Sequence, residues 1–371
     1  YAYLIDSTIS MSSSTATTEK ARGGGIFARG AVGLLGSSIL DNKVVSVDGT
    51  AYGGGIASQE GVSAFARSTI SWNTAHSDTR WSYGGGVIAG DNYGDQAGQA
   101  VFMNAVISGN VATSSCTHCF IQGGGVHAFG PIIAYYSAIT NNHVISASGG
   151  AGTAQGGGLS TLSGDSDGDR VDGVQVFVNS TISGNSAMGG QSGAGYGGGL
   201  NAMSGSPIGL VMSTLAFNQA STEGGGAVFG DGGGTYNPQL YSSIVSNNAA
   251  PNAADIASTF GYALTIDGSH NVVISAASDV VLPAGTISFD PKLMPLAKNG
   301  GFTPNHELAP CSPAVDAGVN QFGSSPLDWD QRGDPYAREA GTATDIGAFE
   351  LQANAAADVI FRHSFETPLC P

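Results

Sequence analysis

The stretch of sequence most suggestive of chemistry is an acidic loop in which carboxylates alternate with small residues. Its aspartates are Asp165, Asp167, Asp169 and Asp172. Calcium takes about six to eight oxygen ligands, and alternate aspartates on a tight loop can supply several of them. The loop departs from the EF-hand pattern, because Arg170 stands where that pattern has glycine. A calcium site is one hypothesis for this loop, and a solvated acidic loop without a ligand is the other.

The same loop also holds candidates for catalysis. In a polysaccharide lyase, carboxylates hold calcium and a basic residue removes a proton beside a uronate carboxylate, and Asp167 and Arg170 could take these two roles. However, a single arginine is weak support for a polyanionic substrate in a chain this acidic. A hydrolase of neutral glycans would instead need two carboxylates about 5–10 Å apart. The sequence establishes no catalytic residue, and a lyase or hydrolase remains an alternative to a binding protein.

A second candidate patch combines aromatic and histidine side chains from neighbouring repeats. Its members are Trp72, His76, Trp81 and Tyr83, joined from the next repeat by His118. Exposed aromatic rings can stack on sugars or anchor a partner protein. The competing interpretation is that these rings cover the flank of the molecule or stack on one another.

The chain has four cysteines, too few for a disulfide-stapled scaffold. Cys116 and Cys119 resemble half of a zinc site, but a second pair at metal-ligand spacing is missing. In an oxidising compartment, a local disulfide between these two residues is favoured. A bridge between Cys311 and Cys370 is a further hypothesis, because sequence does not fix connectivity.

The elements that would position these residues come from an internal repeat. A glycine triplet followed by an apolar residue recurs 27 to 41 residues apart. The triplets begin at Gly23, Gly53, Gly84, Gly123, Gly156, Gly197 and Gly224. A period of this size is typical of stacked units, and the segments between triplets show the alternation of β-strands rather than helical periodicity. Each period therefore predicts one coil of short strands, each paired in parallel with its equivalent in the next coil.

A second landmark has the form Ser-Thr-Ile-Ser-x-Asn. The asparagines assigned to its last position are Asn42, Asn73, Asn110, Asn142, Asn185, Asn218 and Asn247. Buried asparagines stacked along the axis can form a hydrogen-bonded ladder. The alternative is that they are exposed turn residues, and either role is structural.

Composition narrows the function classes. Among 371 residues there are 12 basic and 28 acidic side chains, so the formal charge is −16, which disfavours nucleic acid as a partner. No apolar run approaches the roughly 20 residues of a transmembrane helix. The chain opens at Tyr1 within a strand-like segment, and we expect a leader and an N-terminal cap upstream.

The C-terminal third carries a series of short motifs with a specific order. They are Asp290-Pro291-Lys292-Leu293, Asn299-Gly300-Gly301-Phe302-Thr303-Pro304, Ser312-Pro313-Ala314-Val315-Asp316-Ala317-Gly318, Asp330-Gln331-Arg332-Gly333 and Asp345-Ile346-Gly347-Ala348-Phe349-Glu350. This series resembles the bacterial choice-of-anchor Q surface proteins, and the coils resemble the repeats of polymorphic outer-membrane proteins. The resemblance implies an all-β, right-handed parallel β-helix that is secreted or displayed on the bacterial outer surface. It implies no catalytic residues.

These observations predict three regions. Residues 1–250 form the repeated coils, residues 251–350 form divergent C-terminal coils and a cap, and residues 351–371 form a tail similar to that of some exported Gram-negative proteins. The leading functional hypothesis is a non-catalytic β-helix for adhesion, scaffolding or recognition, with a glycan or a cell-surface protein as partner. Calcium is the one cofactor suggested.

Overall fold

The chain folds into a stack of coils built from short parallel strands. The computed structural model describes residues 1–90, 98–147, 149–161, 174–202, 207–230, 237–258, 261–321, 323 and 325–352. Within these ranges there is no α-helix, and therefore no helix that could cross a membrane. Strands of successive coils pair in parallel, which confirms the predicted all-β parallel β-helix.

Each full coil contributes one strand to each of five sheets, named A to E here in chain order. Sheet A contains Ala2–Ile5, Val32–Leu35, Val62–Ala66, Gln99–Met103, Ile132–Tyr135, Gln175–Val178, Ile208–Val211, Gln239–Tyr241 and Asp267–Ser269. Sheet B contains Thr8–Ser10, Ser38–Leu40, Thr69–Ser71, Val106–Ser108, Ala138–Thr140, Thr181–Ser183, Thr214–Ala216, Ile244–Ser246 and Val272–Val273.

The other three sheets complete the coil. Sheet C contains Ser13–Ala16, Lys43–Ser46, Thr74–Ser77, Val111–Ser114, His143–Ser146, Ser186–Met188 and Gln219–Ala220. Sheet D contains Ala21–Arg22, Ala51–Tyr52, Ser82–Tyr83, Phe120–Gln122, Thr153–Gln155 and Gly195–Tyr196. Sheet E contains Ile26–Ala28, Ile56–Ser58, Val87–Ala89, Val126–Ala128, Leu159–Thr161, Leu200–Ala202, Ala227–Phe229 and Ile256–Ser258. A short parallel pair joins Leu264–Thr265 with Val280–Val281, which lie before and after the last strands of sheets A and B in the chain.

Alternate side chains of each strand point into the stack and form apolar columns. Ile39, Ile70 and Ile107 pair in register in three successive coils, and all three are fully buried. This follows from the two-residue period of a strand, repeated once per coil. The main core lies between sheets A, B and E, and a smaller apolar cluster that includes Val44 and Ala75 lies between sheets C and D.

The glycine triplets narrow the coil between these two cores. Gly53 has a φ of +64°, which favours glycine over residues with a side chain. A Cβ atom on Gly54 would lie 2.4 Å from the carbonyl carbon of Thr74, and one on Gly55 would lie 2.9 Å from the Asn73 side chain. The triplet therefore packs against the opposite wall of the coil, at a distance that only glycine permits.

The predicted asparagine ladder is present. Asn110 donates from its backbone nitrogen to Oδ1 of Asn142 at 3.0 Å and from Nδ2 to the same oxygen at 2.9 Å. Both side chains are fully buried. The assignment of Asn247 to the ladder is wrong, because Asn218 donates to Oδ1 of Asn248 while Asn247 is exposed at the preceding corner. Two adjacent asparagines made the sequence ambiguous by one residue.

The C-terminal motif series lies along one flank of the stack. Within the predicted region 251–350, the strands Ile256–Ser258, Asp267–Ser269 and Val272–Val273 continue the coils. The described residues between 290 and 350 then form isolated bridges and contact the outer face of sheet B. Gln331 accepts a hydrogen bond from Thr181, and Ala348 donates from its backbone nitrogen to Thr214 at 3.0 Å. Polar residues on that face of sheet B, such as Thr181, are buried for this reason. The segment supports the flank of the stack.

The motif residues build the interior of this C-terminal segment. The Arg332 guanidinium pairs with Asp330 at 2.6 Å and lies 3.9 Å from the ring centroids of both Tyr336 and Phe349. It also donates to the backbone carbonyl of Glu350 at 2.6 Å. Arginine suits such a site because its planar group can stack on rings and bond a carboxylate at once. The motifs that carry the family resemblance therefore have a structural role here.

Candidate functional site

An open groove beside sheet D is lined by Trp81, and a second aromatic residue, Phe120, lies one coil further along the stack. Trp81 directly precedes the strand Ser82–Tyr83, and Phe120 occupies the equivalent position in the next coil, because Ser82 pairs with Ile121. Trp81 is half-buried and Phe120 is 46% exposed. Paired parallel strands lie about 4.8 Å apart, so the two side chains are neighbours along the axis. Parallel stacking thus places side chains from two coils on one surface.

Buried aromatic rings support Trp81 from behind. The Trp81 ring packs edge-on against Tyr83, with centroids 6.2 Å apart, and Tyr83 stacks on Tyr52 at 5.4 Å. Tyr52 and Tyr83 are each 3% exposed. Because edge-on and offset-stacked rings attract each other and exclude water, this cluster fixes the orientation of the outermost ring.

Polar side chains complete the groove, which encloses about 420 Å³ and is lined by Asp48, Thr50, Thr79, Arg80, Trp81 and Cys119. Asp48, Thr79 and Arg80 are exposed, and the Thr79 hydroxyl lies 3.2 Å from Oδ1 of Asp48. The groove therefore combines an aromatic wall with hydrogen-bonding groups, the usual make-up of a small-molecule site.

A disulfide forms one end of this region. Cys116 and Cys119 are bonded, with Cα atoms 5.6 Å apart, as the sequence favoured. The bond closes the turn that leads directly into Phe120. Cys311 also takes part in a disulfide, and its expected partner Cys370 lies outside the described residues.

The structure separates the predicted aromatic and histidine patch into different surfaces. Trp72 is 63% exposed at a corner with a φ of +60°, and its ring lies over Gly109 of the next coil. His76 pairs with Asp78 at 2.8 Å, and His118 is exposed in the disulfide turn. Tyr83 is buried, so it supports the groove and is not an exposed platform. Trp81 is the predicted binding residue that lines the groove.

The predicted calcium and lyase residues lie outside the described residues. These are Asp165, Asp167, Asp169, Arg170 and Asp172, and the calcium and lyase hypotheses therefore stay predictions. In the part of the chain that the structure describes, no group of three or more histidine, cysteine, aspartate or glutamate side chains could hold a metal ion.

Sequence analysis missed a row of buried polar side chains beside the aromatic cluster. His127, Ser160 and Asn201 pair in register in three successive strands of sheet E. Their strand neighbours, such as Val126 and Ala128, point into the core, so these three side chains point outward. All three are nevertheless fully buried. The row was missed because outward positions of a solenoid strand are expected to be exposed.

The row continues the aromatic cluster. The His127 ring lies 4.9 Å from Tyr83 and 4.7 Å from Phe129, centroid to centroid. Burial lowers the pKa of His127 to about 3, so its imidazole is neutral at ordinary pH. In the neutral ring one nitrogen donates and the other accepts a hydrogen bond.

Comparisons of the chain with protein-family models, with curated proteins and with solved structures find no match. The resemblance to choice-of-anchor Q proteins thus rests on the motif series alone. The function has to be argued from the groove and its surroundings.

Proposed function

We propose that this protein is an exported, non-catalytic β-helix that recognises a neutral glycan through the groove at Trp81. The observation that carries the proposal is the groove lined by Trp81 together with Asp48, Thr79 and Arg80. Phe120 occupies the position equivalent to Trp81 in the next coil. Aromatic rings stack on the apolar faces of sugars, and the polar groups can bond their hydroxyls.

The charge of the chain supports a neutral glycan over an anionic one. A formal charge of −16 repels a polyanion. Among the described residues that line the groove, Arg80 is the only basic one. Among the described residues that line the groove, Asp48 is the only one with a carboxylate, whereas glycoside hydrolysis normally uses two. This favours recognition over turnover.

The Cys116–Cys119 disulfide supports export, because such bonds persist in oxidising compartments. A rigid stack of coils is also well suited to holding a binding surface away from a cell, as solenoid scaffolds do. Display on the bacterial outer surface is part of the proposal and follows from the family resemblance.

The test is a glycan array of neutral and acidic polysaccharides, followed by titration calorimetry with the best neutral ligand. Trp81→Ala should weaken binding about tenfold or more, because an aromatic anchor contributes about 1–2 kcal/mol. Phe120→Ala should weaken it less. The matched control is Trp72→Asn, since asparagine occupies the equivalent corner at Asn141 and Asn247, and this variant should bind like the wild type.

Two outcomes would refute the proposal. One is unchanged affinity in Trp81→Ala, and the other is the absence of binding to every neutral glycan on the array. Release of reducing sugar or unsaturated product during the same incubations would show that the protein is a hydrolase or a lyase instead.

A further inference from the structure

The outer face of sheet A carries a continuous column of apolar side chains. One outward residue of each strand pairs in register with the equivalent residue of the next coil, and none of these residues is charged. From the first coil to the sixth, they are Ile5, Leu35, Ala66, Met103, Tyr135 and Val178. Val101 and Ile133 lie beside the column, two residues earlier in their strands.

The column is covered in the later coils and open in the earlier ones. Val178 and its neighbour in the seventh coil, Val211, are buried in an apolar cluster against which Leu327 of the C-terminal segment packs. Leu35, by contrast, is 48% exposed, and Met103 is 53% exposed. A contiguous apolar surface left open on a folded protein marks a binding site.

The C-terminal segment shows how a polypeptide binds this column. Leu327 supplies the apolar contact, and Asn320 holds its backbone by bonding both its N–H and its carbonyl at 2.8 Å. Asn179, at the corner after the strand of the sixth coil, donates from Nδ2 to the backbone carbonyl of Trp329 at 2.7 Å. The segment thus combines an apolar side chain on the column with a backbone hydrogen bond to the corner.

The open part of the column has the same side chain at the equivalent corner. Asn104 directly follows Met103, as Asn179 follows Val178, and the two corners have φ values of +53° and +44°. Met103 and Val178 belong to the same column, two coils apart. Asn179 is fully buried, whereas Asn104 is partly exposed. The Asn104 amide can therefore donate to a backbone carbonyl as the Asn179 amide does.

We propose that the open part of the column, from Ile5 to Tyr135, binds an extended apolar segment of a partner protein. We call this part the apolar face. Four strand spacings separate its ends, so it is about 19 Å long, the length of about six extended residues. It is two outward side chains wide, about 7 Å, which matches a single polypeptide chain. The partner would bind it as Leu327 binds the later coils.

The apolar face suits neither a second copy of the chain nor a glycan. A stable dimer buries about 800 Å² on each partner, far more than so narrow a strip offers. Two copies that each carry a formal charge of −16 also repel one another. Sugars stack on aromatic rings, whereas Leu35, Ala66 and Met103 have none.

The test selects peptides from a phage library of random decapeptides on the whole chain of 371 residues. Fluorescence anisotropy then measures the affinity of each selected peptide. We expect these peptides to be rich in apolar residues. The double variant Leu35→Ser, Met103→Ser should weaken binding about tenfold or more, because two apolar contacts are lost. Both positions are exposed, so its unfolding midpoint in urea should match that of the wild type.

Two further variants sharpen this test. Asn104→Ala should weaken peptide binding by a smaller factor, about threefold, because it removes one hydrogen bond to the peptide backbone. The matched control is Phe289→Ser, which replaces an apolar residue that is 73% exposed and lies outside sheet A. This variant should bind the peptides like the wild type.

The inference is overturned if no peptide is selected, or if every selected peptide binds the double variant as tightly as the wild type. A wild type that sediments as a dimer and a double variant that sediments as a monomer would assign the face to a second copy instead. Tighter peptide binding after removal of residues 353–371 would assign it to the tail of this chain. Trp81→Ala should bind the peptides normally, and the double variant should keep its affinity for the neutral glycan, so this inference and the proposed function fail separately.

Discussion

At the scale of residues, the stack depends on side chains that serve two coils at once. Asn110 accepts two hydrogen bonds from Asn73 and donates from Nδ2 to the carbonyl of Ile70 at 2.9 Å. Recurrence at a fixed offset from a core isoleucine was enough to predict this ladder. It was not enough at Asn247 and Asn248, where two adjacent asparagines fit the spacing and burial alone distinguishes them.

The exposure of aromatic residues was harder to predict than their position. Trp81 and Tyr83 are two residues apart and both point outward from sheet D, yet one lines the groove and the other is buried. Their difference arises from rings contributed by other coils, including His127 and Phe129. Such packing depends on tertiary contacts that no local pattern encodes.

His127 should make the stability of the protein pH-dependent. Burial lowers its pKa to about 3, while an unfolded histidine has a pKa of about 6.5. Below pH 6.5 the unfolded chain binds a proton at this histidine that the folded chain resists, so protonation favours the unfolded state. The contribution of His127 to the free energy of unfolding is therefore fully present above pH 6.5 and is lost as the pH falls towards 3. Between pH 6.5 and 4, the wild type should lose about 3 kcal/mol more than His127→Gln.

Urea unfolding across this pH range measures the effect. Asn201→Ala removes no ionisable group from the same row and should keep the wild-type pH dependence. Parallel curves for wild type and His127→Gln would show that His127 is hydrated in the folded state, contrary to its burial.

At the scale of elements, the glycine triplet shapes the coil. Gly54→Ala would place a Cβ atom 2.2 Å from the carbonyl oxygen of Gly85, a backbone atom that cannot move aside. We expect the free energy of unfolding to fall by about 3 kcal/mol, as for severe overpacking. The midpoint of chemical or thermal unfolding measures this directly.

Gly209→Ala is the matched control. A Cβ atom on Gly209 would have no atom within 4 Å, and this residue lies in a strand of sheet A. The substitution should be neutral or stabilise the fold by up to about 1 kcal/mol. If Gly54→Ala and Gly209→Ala were equally stable, close packing would not explain why the triplet consists of glycine.

At the scale of the whole molecule, the sequence predicted the coil stack but not the position of the C-terminal segment. The stack follows from local repetition, because each strand pairs with its equivalent one period away. The contacts of the C-terminal segment join residues far apart in the chain, such as His306 with Ser183 at 2.8 Å and Gln331 with Thr181. No periodicity connects such pairs, so the burial of the outer face of sheet B could not be foreseen.

The same scale explains the candidate site. The groove is lined by residues of three successive coils, including Asp48, Trp81 and Cys119. It is not a sequence motif, and it exists because parallel stacking aligns equivalent positions at a fixed spacing. The acidic connectors that drew attention first, such as the loop with Asp167, are a separate prediction that stays untested.

The most direct test of the account is a crystal structure of the protein soaked with the neutral oligosaccharide that binds it best. We predict a sugar ring packed against Trp81 and Phe120, with its hydroxyls bonded to Asp48, Thr79 or Arg80. A sugar bound at another surface, with the Trp81 groove occupied by solvent alone, would contradict the account.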